Sequence, residues 1–225
     1  MAVLLTLVIS STASAQTTIV QHLGDNDPLA ESPAWAACPG TACGGIVGGV
    51  GGAWQINTVG QTPARQFYAF NLTGVQVGGQ DWFDLPWRLT MNVKVDATTG
   101  GSDAGFKVAD AGQWQFNLLT DKVEFGGDDT VNIPYSSGAF HTILLQYDPV
   151  TDSADLSVDA GTPLNILRSQ ISTGGTGDVN WGDFNGGGGS THSWTEVTFE
   201  VPEPSTGLLL MFGLGMLGLR GCRRR

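Results

Sequence analysis

Between residues 87 and 95 the side chains alternate without a fault. Trp87, Leu89, Met91, Val93 and Val95 fall on one face of an extended chain, and Arg88, Thr90, Asn92 and Lys94 on the other. A period of two held over this length predicts a half-buried antiparallel strand. The pattern recurs downstream. Phe106 and Val108 flank Lys107; Trp114, Phe116 and Leu118 alternate with Gln113, Gln115 and Asn117; Val123 and Phe125 follow a turn. Near the end, Thr195, Val197, Phe199 and Val201 alternate with Trp194, Glu196, Thr198 and Glu200, which places Trp194 on a polar, exposed face. Ala53–Val59 and Arg65–Leu72 read as further strands. Ala139–Tyr147 is apolar on both faces, as a central strand would be, and Leu156 and Val158 return from the turn at Asp148–Ser153. Residues 24–53 read as loop. Short strands, Gly, Asp and Pro turns, and no helical period predict an all-β antiparallel β-sandwich.

The two ends have a different pattern. Val3–Ile9 is a short apolar run, and Ala13-Ser14-Ala15 has the small-x-small form that signal peptidase cuts, here after Ala15. The run is too short to span a bilayer. At the other end, Gly207–Leu219 has no polar side chain and is followed by Arg220, Arg223, Arg224 and Arg225. That order predicts one short C-terminal transmembrane helix with its basic end in the cytoplasm. At ~1.5 Å per residue it is roughly 20 Å long against a hydrocarbon core of about 30 Å, a length suited to a transient anchor. The expected organisation is therefore a signal peptide (1–15), a Gly-rich N-terminal segment (16–53), a β-sandwich (54–201) and a sorting tail (202–225).

Pro202-Glu203-Pro204, the apolar helix and the terminal arginines, in that order, resemble the PEP-CTERM sorting signal. The resemblance implies processing by exosortase, a membrane transpeptidase, in Gram-negative bacteria that make exopolysaccharide. The chain would cross the inner membrane, be anchored transiently, and end at the cell surface or in the extracellular matrix. Pro202 and Pro204 suit such a site physically, because each lacks a backbone N–H and keeps its predecessor extended. A second resemblance covers roughly residues 66–200. The segments FHTILLQYDPVTDSADLSVDAG and VNWGDFNGGGGSTHSWTEVTFE are similar to the concanavalin A-like and laminin-G jelly rolls.

Charge and cysteine content narrow the function classes. From Gln16 to Val201 there are twenty Asp and Glu against six Lys and Arg, a net charge near −14. That sign argues against nucleic acid. Cys222 lies in the tail, leaving Cys38 and Cys43 as a pair in an oxidising compartment, which predicts a small-loop disulfide. His22, His141 and His192 have no metal-ligand spacing.

Concanavalin-like folds include glucanases, and a retaining glycosidase needs two carboxylates about 5–5.5 Å apart. The pattern Glu-x-Asp-x-x-Glu is absent. The close pair Glu196 and Glu200 reads as a solvated face, so no catalytic residue is assigned and the expectation is a non-catalytic binding module. The ligand-binding candidates are Trp181, Trp194, Gln113, Gln115 and Asn117, because exposed tryptophan beside amides suits the apolar faces and hydroxyl rims of exopolysaccharide or another glycan. Trp54, Trp87 and Trp114 read as core. Asp178, Asp183 and Asn185 form one loop of hard oxygen ligands that would accept Ca²⁺, the cofactor this sequence admits. A glycan-active hydrolase and a purely structural matrix subunit are the alternatives.

Overall fold

The computed structural model describes residues 16–99, 104–110, 112–126, 128–173, 175, 177–184 and 188–202. In chain order the strands are β1 (Gln16–Leu23), β2 (Ala36–Ala37), β3 (Ile46–Val50), β4 (Ala53–Asn57), β5 (Gln66–Asn71) and β6 (Gln76–Val77). Then come β7 (Gln80–Asp81), β8 (Trp87–Thr98), β9 (Ala104–Ala109), β10 (Gly112–Leu118), β11 (Lys122–Phe125) and β12 (Asp128–Pro134). The last are β13 (His141–Asp148), β14 (Ser153–Val158), β15 (Leu164–Leu167), β16 (Ser172–Thr173), β17 (Asp178–Asp183) and β18 (Ser190–Pro202). The protein is thus an all-β antiparallel sandwich of two eight-stranded sheets. The first runs β15-β14-β13-β8-β18-β4-β3, with β1 also on β18; the second runs β12-β11-β10-β9-β17-β5-β2, with β16 on β10.

The alternation in β8 does what its period requires. Leu89, Met91, Val93 and Val95 are buried, together with Ile143 and Leu145 of β13, against Phe106, Trp114, Phe116 and Trp181 of the second sheet. β13 lies between β14 and β8 as a central strand should, but only one of its faces is buried: Thr142 and Gln146 point to solvent. The segment 24–53, read as loop, holds β2 and the β3–β4 hairpin, and residues 16–53 as a whole are part of the same sandwich. Glycine hid these strands because it lowers apparent strand propensity. In β3 it is needed for space: a Cβ on Gly49 would lie 2.7 Å from the Asp25 carbonyl oxygen.

Residues 1–15 and 203–225 lie outside the described residues, and with them the signal peptide, Glu203, Pro204, the apolar helix and the terminal arginines. No helix among the described residues is long and apolar enough to cross a membrane. Pro202 ends β18, opposite Gln16 of β1.

Candidate functional site

The two tryptophans expected at the surface are both in the core, with no exposed area. Trp194 was placed outward by parity with Glu196 and Glu200. The parity breaks at a β-bulge: Trp194 pairs with Val93 and Glu196 with Asn92, so Thr195 is the extra residue. One inserted residue flips every side chain before it to the other face. Trp194 then faces inward with Val197 and Phe199 and packs on Trp181 at 5.2 Å between ring centroids. Trp181 sits inside β17 between Tyr68 and Phe106, stacked against His22. Neither can touch a ligand in this fold.

The expected Ca²⁺ loop is also taken apart by parity. Asp178 and Asp183 are five residues apart on one strand and so face opposite ways. Asp178 lies outward, 3.7 Å from Lys107 Nζ. Asp183 is buried, where its Oδ2 accepts hydrogen bonds from the Thr58 and Ser190 hydroxyls, the latter at 2.9 Å. Asn185 lies outside the described residues. Among the described residues no three His, Cys, Asp or Glu side chains come together as a metal cluster. Glu196 and Glu200 lie on the outer face of the first sheet, where Thr198 Oγ1 donates to Glu196 and Arg88 Nε donates to Glu200 at 3.0 Å.

Gln113, Gln115 and Asn117 stand where the alternation puts them, half-buried on the outer face of the second sheet, while Trp114 and Phe116 fill the core behind them. Register across the sheet extends this face. Gln115 pairs with Lys107, which pairs with Asn180. Asn180 is only 2 % exposed, and among the described residues its buried Nδ2 donor has no hydrogen-bond acceptor. An unfilled amide donor of this kind costs about 1–3 kcal/mol unless something supplies the acceptor.

One row along, Asn117 pairs with Gly105, and Gly105 with Gly182 and so with Phe67. Glycine is obligatory in this row. A Cβ on Gly105 would lie 2.4 Å from the Phe116 carbonyl oxygen, and Gly182 has φ +123°. The bare backbone leaves room for Phe184, whose ring edge lies 3.4 Å from where that Gly105 Cβ would be and 5.3 Å from Phe67 by centroids. Arg65 fixes this aromatic pair by donating from Nε to the Phe184 carbonyl at 3.0 Å and from Nη1 to the Thr41 hydroxyl. Thr41 belongs to the loop closed by the Cys38–Cys43 disulfide, which is formed as expected. Gly182→Ala should destabilise the fold by about 1–3 kcal/mol in urea melts, since its backbone is both left-handed and crowded.

A cleft of about 460 Å³ opens where β10 begins, within the usual range for ligand sites. Phe83, Trp82, Asp81, Asp110 and Arg168 line it, with Gly175 and Gly177. Asp110 Oδ1 accepts from Arg168 Nη2 and from the Gly112 backbone N–H, each at 2.8 Å, so the carboxylate is held in place. Burial lowers the Arg168 pKa, but Asp110, Tyr147 and Asp152 more than reverse this and hold the guanidinium charged, above its ordinary value. Sequence reasoning missed Asn180, Phe67, Phe184 and the whole cleft; only the amide row of β10 carried a local signal.

An antiparallel sandwich with a row of amides on one outer face belongs to a broad structural class. The endo-1,3-β-glucanase from Streptomyces sioyaensis is similar in structure at TM-score 0.55 and 13 % identity, over 87 % of this chain and 99 % of that one. The carbohydrate esterase vb_24B_21 of the Shiga toxin-encoding bacteriophage phi24B gives 0.54 and 13 %, over 84 % and 100 %. The cellulose-induced protein Cip1 gives 0.53 and 11 %, over 79 % and 96 %. At these identities the likeness establishes the concanavalin A-like fold. No curated protein matches the sequence. Residues 200–225 match the PEP-CTERM protein-sorting motif, which marks an exosortase-processed protein of the cell surface or the secreted fraction.

Proposed function

We propose that this protein is a non-catalytic, polysaccharide-binding component of the cell surface or extracellular matrix, anchored transiently in the inner membrane of a Gram-negative cell before exosortase acts. The observation that carries the reading is the outer face of the second sheet: the half-buried amides Gln113, Gln115 and Asn117 beside the paired rings of Phe67 and Phe184. A pyranose offers an apolar face to a ring and hydroxyls to amides. The three β10 amides cover about 14 Å of strand, enough for two to three sugar units, and the track leads at the Gln113 end towards the cleft. The likeness in fold to a glucanase and a carbohydrate esterase supports a glycan as the ligand class.

Hydrolysis fits less well. Glu124 and Asp178 are the acids this face presents among the described side chains. They are three strands apart and four residues out of register, roughly 20 Å at ordinary strand spacings, where glycosidases need about 5–10 Å. The test is retention of the full chain on the host's own exopolysaccharide. Phe184→Ala and Asn117→Ala should each weaken binding about five- to tenfold, with melting temperature held. Retention unchanged in both would remove this face from the site, and release of reducing ends from the polysaccharide would overturn the non-catalytic reading. Binding should survive a chelator, because the acids proposed for Ca²⁺ face apart; loss on chelation would restore a metal to the site.

A further inference from the structure

A sheet edge presents unpaired backbone donors and acceptors, and proteins guard such edges with charge, proline or shortness. Most ends of these two sheets follow that rule. β12 opens on Asp128-Asp129 and closes on Pro134; β15 is four residues long between Pro163 and Arg168; β2 has two residues. The β3 edge does not. Its sequence is Ile46-Val47-Gly48-Gly49-Val50, and among the described residues its strand partner is β4 alone. Ile46 is 61 % exposed, Val50 58 % and Val47 39 %. No residue from Ser32 to Ala64 carries a charge, in a chain whose net charge is −11.

We propose that β3 is a self-association edge, at which a second copy of this chain pairs antiparallel with the first. The observations favour a copy of the chain over a foreign strand. The nearest charge, Asp25, packs on the inner side of Gly49, away from the solvent face that carries Ile46 and Val50. The strand is also nearly palindromic. Antiparallel pairing about Gly48 sets Ile46 against Val50 of the second copy and Val50 against its Ile46, two apolar cross-strand pairs on the solvent face. Val47 then faces Gly49 on the inner side, where Asp25 already packs on that glycine. A two-fold, isologous contact closes on itself and joins the two first sheets into one. Pairing through β3 leaves the amide face of the second sheet open, so each dimer presents two such faces.

The experiment is sedimentation of the full chain as purified from its host, free of polysaccharide, as a function of concentration. Wild type should show a reversible monomer–dimer equilibrium. Ile46→Lys should weaken dimerisation at least about tenfold by setting a charge on the edge. Ile46→Lys combined with Val50→Glu should restore it, because the proposed register brings each lysine opposite a glutamate. Both positions are exposed, so the fold tolerates these changes, and an unchanged melting temperature verifies it. A monomer at every concentration, a dimer indifferent to Ile46→Lys, or a double variant no better than the single one would each overturn the proposal.

Discussion

Trp194→Ala should destabilise the domain severely, not release a ligand. The side chain is wholly buried and touches Trp181 and His192, and its indole N–H donates to His192 Nδ1. Truncating a buried tryptophan to alanine costs about 3–5 kcal/mol, out of the 5–15 that hold a typical domain together. The cost here belongs to the upper part of that range, because the cavity would open between two sheets whose strands cannot close over it. Urea denaturation followed by tryptophan fluorescence is the measurement. A variant as stable as wild type that loses polysaccharide would return Trp194 to the surface and contradict the bulge at Thr195.

The second large effect is acid sensitivity. His22 and His192 lie in the core without exposed area. Burial pushes His22 down to about 4 and His192 down to about 3. His192 is fixed as a neutral ring because its Nδ1 accepts the Trp194 N–H; a proton there would set two donors against each other. An unfolded histidine takes its proton near pH 6.5. Below that value the unfolded chain binds protons that the fold refuses. Stability is therefore complete above about pH 6.5 and is lost through the window down to about 4 for His22 and about 3 for His192. Two protons correspond to about 3 kcal/mol per pH unit. Glu31, 3.1 Å from His22 and pushed up by burial, acts with the opposite sign and offsets part of the loss. Urea melts between about pH 7 and pH 5 should show this slope, and His192→Gln should roughly halve it. A flat profile would mean that both rings take up protons in the fold as readily as in the unfolded chain.

The sandwich was legible because its cause is local. The period of two through Trp87–Val95 and through Gln113–Leu118 depends only on neighbours in sequence, and those stretches run without a bulge of their own. Trp194 was misplaced because a bulge is a property of the pairing between β18 and β8, which no stretch of β18 alone reveals. The same is true of the β3–β4 hairpin, whose glycines look like linker until strand pairing gives them partners. The aromatic half of the candidate site was out of reach for a topological reason. β17 inserts between β9 and β5, far from both in sequence, and this carries Asn180 and Phe184 to the amides of β10. The cleft draws on loops from both sheets, none with a motif of its own.

β18 has a mechanical consequence. It is thirteen residues long, runs through the interior of the first sheet, and pairs with β8 on one side and with β4 and β1 on the other. Its last residue, Pro202, leads directly into the sorting tail. A pull on that tail is therefore applied along the axis of the strand, while its inter-strand hydrogen bonds lie across that axis. The ladders on both flanks resist together, in shear, and do not peel one bond at a time. A surface protein held by this end and dragged by a polymer on its opposite sheet would carry the tension through its strongest direction.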